Sequence, residues 1–350
     1  MLSDLAHRGH ELLVVAGRDD GTAKAPVPVS IARPLAETRR ARRASEALEA
    51  EVRAFRPDVI HLHNAIGPEV LGWGAARGAV ATVQDHRVFC PGRGKLTEAG
   101  ETCDVPMSAE ACAGCFREGD YFRRIYEVTA ARRDALRGMA GITVLSSYMK
   151  RELSAAGISA ERIQVIPPFV HGIEGWDMPA GDAAADTDAG GAPCVAFIGR
   201  LARAKGVYDA IEAWRRAEAH VPLVFAGTGP ERERLEELGF EVTGWLGRRE
   251  LSALYRRALA VVMPSRWQEP FGIVGLEALA AGVPVAAWDS GGIAEWHPGP
   301  LPAWGDVSGL ARELRSALAG ERRAEPPRLS PRAELTARLE TVYARATDSS

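Results

Sequence analysis

The sequence predicts an α/β protein of two doubly wound domains, each a mostly parallel sheet between helices. Three observations carry this. The chain has 350 residues, long for a single hydrophobic core. Its second half alternates short, continuous apolar runs with segments of helical spacing, the pattern of a parallel sheet buried on both faces. Its first half repeats that rhythm less cleanly, and the halves are separated by an Ala, Asp and Gly-rich stretch with little to bury, which reads as a linker.

In the second half, strands are expected at 194–198 (CVAFI), 223–226 (LVFA), 259–263 (LAVVM) and 283–287 (VPVAA). Helices are expected over about 207–219, with Ile211 and Trp214 on one face, and over 231–238 and 251–258; another begins near Phe271. In the first half the strand candidates are 11–16, 58–62, 79–83, 142–145 and 162–166, the last closed by Pro167-Pro168. Residues 331–346 carry Leu335, Leu339, Val342 and Tyr343 at helical spacing. That face must be covered, and it is expected to pack back across the first domain. The expected division is a first domain at 1–170 with a Cys-rich insert at 87–118, a linker at 171–193, a second domain at 194–330 and a C-terminal helix at 331–350. The chain opens on what reads as the tail of a helix, followed by Gly9 and a strand. A doubly wound sheet ordinarily begins with a strand and a glycine-rich turn. The expectation is therefore a first domain that lacks its first strand, either because the chain is truncated or because its start was placed too late.

Composition narrows the function. Apolar residues make up 46% and charged residues 25%, as in an ordinary globular protein. A net charge of -3 argues against a nucleic-acid binder. No stretch is apolar enough to span a bilayer; the longest, 276–288, is broken by Gly282 and Pro284. No secretion signal opens the chain, and five cysteines without one suit a reducing compartment, so the expected location is the cytoplasm. The run Arg39, Arg40, Arg42 and Arg43 reads as a solvated helix face, or as a patch touching the inner face of an anionic membrane or an anionic acceptor.

Three motifs carry chemistry. The first is 264–282, PSRWQEPFGIVGLEALAAG, where a strand ends, a loop follows and a helix starts. Glu269 lies in the loop and Glu277 in the second turn of that helix. The amides near Gly272 to Val274 then sit at a helix N-terminus, where anions are stabilised, and a carboxylate there can accept from sugar or ribose hydroxyls. The plainer alternative is that both glutamates only start and solubilise the helix. The second motif, Gly199-Arg200-Leu201 through Lys205-Gly206, places two cations and close-approach glycines after a strand, which suits a diphosphate. The third, Gly227-Thr228-Gly229-Pro230, also ends a strand; Pro230 and Arg232 rule out a dinucleotide fingerprint.

In this order and spacing the three motifs, followed by Gly291-Gly292-Ile293-Ala294-Glu295, resemble glycosyltransferase family four, over roughly residues 57–346. The resemblance implies the GT-B fold, two Rossmann-like domains facing a cleft, and a hexosyltransferase that retains anomeric configuration, takes a nucleotide-diphosphate sugar as co-substrate and needs no catalytic metal. It implies that Arg200 and Lys205 neutralise the donor diphosphate, that Glu277 holds the ribose and that Glu269 holds the transferred sugar. The amides of Phe271, Gly272, Ile273 and Val274 would face sugar and phosphate, Gly199 and Gly227 would line the donor site, and Trp245 and Leu246 would lie near the base. The acceptor, a glycan, a lipid-linked saccharide or a small molecule, would bind the first domain. Two alternatives are a non-catalytic nucleotide-sugar-binding protein of this fold, given the missing first strand, and a GT-B epimerase or phosphorylase; a phosphorylase would carry a pyridoxal lysine, and none is evident.

In the first half, His61-Leu62-His63-Asn64 and Gln84-Asp85-His86 end strands, where ligands gather in such sheets. The family has a donor-contacting histidine at the second position, which implies that role for His86; a lone histidine is otherwise often structural. Asp186-Thr187-Asp188 has the look of a metal-binding carboxylate pair but lies in the linker. Cys90, Cys103, Cys112 and Cys115 fall in one stretch, and Cys112-x2-Cys115 has metal-ligand spacing, so a structural zinc on four thiolates is expected. Four reduced thiols, a disulfide pair or an iron–sulfur cluster are the other readings.

Overall fold

A computed structural model describes residues 1–18, 26–36, 41–168, 191–321, 324 and 330–348. The chain forms two compact units, Met1–Gly94 with Asp104–Phe169 and Ser330–Ser350, and Lys95–Cys103 with Val170–Leu329. Most of the expected linker, the Asp186-Thr187-Asp188 triplet, and Arg39 and Arg40 lie outside the described residues, as does the side chain of Arg42.

The first unit opens on helix α1 (Leu2–His7) and two short parallel strands, β1 (Val14–Ala16) and β2 (Val29–Ile31). Helix α2 (Ala41–Phe55) leads to a parallel four-stranded sheet in the order β3 (His61–His63), β4 (Val80–Val83), β5 (Gly141–Val144), β6 (Ile163–Val165). Helices α3 (Pro68–Ala75), α4 (Ala109–Ala113), α5 (Gly119–Arg137) and α6 (Ser147–Ala155) lie between these strands in the chain. Strands β4 and β5 are buried at every position. Their two threonines, Thr82 and Thr143, are register partners and satisfy each other, Oγ1 to Oγ1 at 2.6 Å. The polar chain continues from Thr82 to His61 Nε2 (2.7 Å) and from His61 Nδ1 to the hydroxyl of Tyr343 (2.7 Å), on the C-terminal helix. Burial, reinforced by neighbouring His63, holds the His61 imidazole well below its ordinary pKa, so the ring is neutral and can donate through one nitrogen and accept through the other. Leu5, Ile166, Leu335 and Leu339 form an apolar cluster under that helix. At about 1.5–3 kcal/mol per fully buried side chain, this packing, more than the hydrogen bond, holds the helix on its unit.

The second unit is a five-stranded parallel sheet built from β7 (Cys194–Ile198), β8 (Leu223–Ala226), β9 (Glu241–Gly244), β10 (Ala258–Met263) and β11 (Val285–Ala287), in the order β11-β10-β7-β8-β9. Its helices are α7 (Val207–Arg216), α8 (Arg232–Glu237), α9 (Arg248–Arg257), α10 (Ile273–Ala280) and α11 (Val307–Leu318). The C-terminal helix of the first unit, α12 (Arg332–Asp348), follows. Phe197, Phe225, Val262, Trp288 and Leu314 belong to one buried core, and the Trp288 N–H is satisfied by the carbonyl of Asp306 at 3.1 Å. Strand order reverses between β7 and β10, so the crevice at their carboxyl ends is the switch point at which ligands bind in sheets of this kind.

Two strands differ from expectation. Strands β2 and β9 were not expected from the sequence: β9 reads EVTG, an edge strand with partly exposed side chains and no continuous apolar run. Helix α9 starts three residues before its expected first residue because Glu250 caps it, its carboxylate accepting the Gly247 N–H at 2.7 Å.

Candidate functional site

Loops from β7 and β10 meet at the switch point of the second unit. The β7 loop ends in a tight turn, Arg203–Lys205, closed by Gly206 at φ 76°. A Cβ on Gly206 would lie 1.8 Å from the carbonyl oxygen of Pro264, so only glycine lets the two loops touch. The N–H groups of Arg266 and Trp267 both donate to the carbonyl of Ala204, at 3.0 Å each. On the other side, Gly291 approaches the backbone of Glu269 so closely that a Cβ would sit 2.2 Å from its carbonyl oxygen. The Gly292 N–H donates to that oxygen (2.8 Å), and the Gly291 N–H to Gln268 Oε1 (2.9 Å). Glu269 is thereby fixed at its backbone from both flanks.

Its carboxylate is caged. Glu269 is 5% exposed, and Oε1 accepts from the Ser265 hydroxyl and from Lys205 Nζ at 2.7 Å. Among the described residues no hydrogen bond takes Oε2, which leaves that oxygen to accept from a ligand hydroxyl. Lys205 Nζ also lies 4.1 Å from the centre of the Trp267 ring, a cation–π distance. Arg200 is exposed, and among the described residues its side chain has no hydrogen-bond or ion-pair partner, so its guanidinium can meet an anion without first breaking a contact.

Helix α10 begins after Gly272, which takes the left-handed conformation (φ 87°). Its first backbone bond runs from Gly275 to Gly272 at 3.1 Å, and among the described residues the amides of Phe271, Gly272, Ile273 and Val274 are not taken by backbone acceptors outside the helix. They form the donor set of a helix N-terminus. The amides of Gly199 and Gly227 are already used, donating to Ala226 (2.9 Å) and Gly244 (2.8 Å). Those two glycines therefore offer room, not hydrogen bonds.

Glu277, half-buried, lies one turn further along α10. The Tyr255 hydroxyl donates to Glu277 Oε2 at 3.3 Å. Burial raises the Glu277 pKa above the ordinary carboxylate value, opposed by the Tyr255 hydrogen bond and by the nearby charge of Arg248. The same burial and the neighbouring carboxylate keep the Tyr255 phenol protonated. Trp245, after β9, is 82% exposed, and Leu246 beside it is half-buried; an indole so bare has a whole ring face for a planar ligand. Sequence reasoning missed Ser265, Tyr255 and the Arg266–Asp209 pair described below; only their contacts single them out.

In the first unit His86 lies inside the fold rather than exposed at the end of its strand. His86 is 2% exposed, its Nε2 hydrogen-bonded to the Tyr148 hydroxyl (3.0 Å) and its ring packed on Phe89. The cause is local: Asp85 accepts the Arg87 N–H at 2.9 Å and caps a tight turn that rolls His86 inward. The exposed side chain at the end of β4 is Gln84. Asp85 is itself engaged by the Arg87 guanidinium; burial works to raise its pKa, but the hydrogen bonds from Arg87 outweigh it and keep the carboxylate ionised. The zinc expectation on Cys90, Cys103, Cys112 and Cys115 is also unsupported. Among the described residues no group of three or more His, Cys, Asp or Glu could hold a metal ion. Cys103 groups with the second unit, whereas the other three belong to the first.

Residues 1–171 match the model "Glycosyltransferase Family 4" and residues 192–320 match "Glycosyl transferases group 1". The chain is 31% identical over 296 residues to the glycogen synthase of Mycobacterium tuberculosis, covering 79% of this chain and 64% of that protein. It is 35% identical over 211 residues to the 2-deoxystreptamine glucosyltransferase of Streptomyces kanamyceticus, covering 55% and 54%. The chain thus spans less than two thirds of the length of these relatives. Among solved structures, sucrose-phosphate synthase of Thermosynechococcus elongatus aligns with a TM-score of 0.62 at 20% identity, over 99% of this chain and 86% of that one. Anabaena HepE, crystallised with UDP and glucose, aligns with a TM-score of 0.62 at 19% identity, over 96% and 86%. With family matches spanning most of its length and the GT-B fold of these structures, the chain belongs to glycosyltransferase family four.

Proposed function

We propose that the chain transfers a glycosyl group from a nucleotide-diphosphate sugar to an acceptor, with retention of anomeric configuration and without a catalytic metal. The observation that carries this reading is the caged carboxylate of Glu269, one oxygen held by Ser265 and Lys205, just ahead of a helix N-terminus. Glu269 positions the sugar through its hydroxyls. Arg200, Lys205 and the amides of Phe271, Gly272, Ile273 and Val274 stabilise the charge that builds on the diphosphate as the glycosidic bond breaks, the task a metal performs elsewhere. Glu277 accepts from both ribose hydroxyls, and the nucleobase lies by Trp245 and Leu246. No described helix is long and apolar enough to cross a membrane. Acceptor recognition falls to the first unit.

Relatives named as a glucosyltransferase, as N-acetylglucosaminyltransferases and as a GDP-mannose-dependent mannosyltransferase support a nucleotide-diphosphate hexose as the donor. Their names also give acceptors as different as 2-deoxystreptamine and a phosphatidylinositol mannoside. The test is a panel of UDP-glucose, UDP-N-acetylglucosamine and GDP-mannose in the presence of a chelator. One of them raises the melting temperature and is slowly hydrolysed to its nucleoside diphosphate. Binding of none, or hydrolysis only with added divalent metal, would overturn the proposal.

The pH dependence of nucleotide binding gives a finer test. Glu277 must be ionised to accept from two hydroxyls, so affinity is full above its raised pKa and falls about tenfold per pH unit below it. Tyr255→Phe removes one of the two influences that hold that pKa down. The pKa rises further, and the acid limb of the affinity profile moves to higher pH. Calorimetry of nucleotide binding from mildly acidic to neutral pH reads the shift; superimposable profiles would show that the hydroxyl does not act on Glu277.

A further inference from the structure

We infer that Asp209 and Arg266 are positioning residues whose ion pair sets the placement of Glu269 against Lys205, and with it the rate of the transfer step; this rests on the reading of Glu269 and Lys205 given above. Arg266 Nε donates to Asp209 Oδ2 at 2.6 Å, and a terminal guanidinium nitrogen donates to Oδ1 at 2.5 Å. Asp209 lies in the first turn of α7, four residues after Lys205, and its side chain is 9% exposed. Arg266 lies between Ser265 and Glu269. The fork therefore bridges the same two loops that the Lys205–Glu269 contact bridges, at a second point. Two parallel N–H···O bonds to a planar carboxylate fix direction as well as distance, which a lysine's single pivoting ammonium does not.

Stability alone does not account for the pair. Helix α7 is held in the core by Val207, Ala210, Ile211 and Ala213, and a buried ion pair is seldom more stable than apolar packing in its place. Both Asp209 oxygens are engaged by Arg266, so the carboxylate is not waiting for a ligand. The other contacts of the loop point to the same role. The Arg266 carbonyl accepts the Trp304 N–H (2.9 Å), and the Trp267 carbonyl accepts the Ser290 hydroxyl (2.8 Å). Such anchors hold the backbone; the Arg266–Asp209 fork ties it to the helix that follows Lys205. Glu277 and Trp245, which the reading assigns to the nucleoside, stand on other elements and are untouched by it.

The test compares Arg266→Lys and Asp209→Asn with Glu269→Gln in the full chain, using whichever of UDP-glucose, UDP-N-acetylglucosamine and GDP-mannose the unaltered protein hydrolyses fastest. In both variants kcat falls about 10- to 100-fold, the scale of a small misplacement of reacting groups. KM and the affinity for the nucleoside diphosphate stay within about threefold, since those contacts are shared by ground and transition states. The double variant falls no further than the worse single one, because both remove the same interaction. Amide exchange over residues 264–272 speeds up in each. Unchanged kcat and exchange in the folded variants, with Glu269→Gln inactive, overturn the positioning role and leave the functional reading standing. A fully active Glu269→Gln overturns that reading instead. Loss of nucleotide affinity in proportion to kcat/KM shows that the pair merely holds the domain together, which also overturns the inference. If Asp209→Asn does not fold, Arg266→Lys decides, because Arg266 is 37% exposed and a lysine there keeps its ammonium in water.

Discussion

Glu277→Ala lowers the affinity for the nucleoside diphosphate about 10- to 100-fold while the fold survives. A charged carboxylate accepting from a ligand contributes about 1.5–3 kcal/mol, which is about 10- to 100-fold in affinity. The effect on stability has the opposite sense. Burial raises the pKa of Glu277 in the folded chain. Whatever stability the group contributes is therefore present below the unfolded carboxylate pKa and is lost as pH rises through the folded value. At neutral pH alanine removes a charge that the fold disfavours, and Tyr255 retains its second acceptor, the Val274 carbonyl at 3.3 Å. The melting temperature of the unliganded protein then stays level or rises, while calorimetry with the nucleotide registers the loss. Unchanged affinity would refute the assignment of Glu277 to the ribose. Unfolding would show that its contacts within the protein matter more than its burial suggests.

The second unit was legible where burial on both sheet faces writes continuous apolar runs. Strands β7 and β8 coincide with CVAFI and LVFA because every residue of LVFA, and all but the last of CVAFI, is buried. Strand β9 was hidden by its edge position, which lets Glu241 and Thr243 stay polar. The site residues were legible as points on loops, but their pairing was not. Lys205 and Glu269 are 64 residues apart and Arg266 and Asp209 are 57 apart, separations over which no local period operates. His86 shows how little position in the chain says about where a side chain goes. Its place after a strand suggested a ligand group, yet the Asp85 cap turns the chain by one residue and sends the ring into the core, leaving Gln84 outside. The arrangement of the cysteines was equally hard to read. Spacing fixes Cys112 and Cys115 near each other around a short helix, but it cannot say that Cys103 sorts with the second unit.

Lys205→Ala and Arg200→Ala separate two roles that the sequence alone assigned equally. On the proposed reading both cations stabilise the charge that accumulates on the leaving diphosphate, so both variants are expected to lower kcat more than they weaken donor binding. The Arg200 side chain has no hydrogen-bond or ion-pair partner among the described residues. Its removal costs only that electrostatic help, about 10²-fold in kcat, with the melting temperature unchanged. Lys205 also holds Glu269 Oε1 at 2.7 Å, its side chain is 24% exposed, and its ammonium lies over the Trp267 ring. Alanine there removes the phosphate cation and at the same time leaves a buried carboxylate with Ser265 as its remaining protein partner. Breaking one side of a buried pair is costly because the surviving charge stays desolvated. Lys205→Ala is therefore expected to lose about 10³-fold in kcat and to melt several degrees below the unaltered protein. Steady-state kinetics of nucleoside diphosphate release, read beside thermal scans of each variant, check both parts. Equal losses of kcat with equal melting temperatures would mean that the Lys205–Glu269 contact contributes nothing of its own. A raised KM with kcat unchanged in both variants would mean that the cations bind the ground state as tightly as the transition state, and the charge-stabilising role would have to be given up.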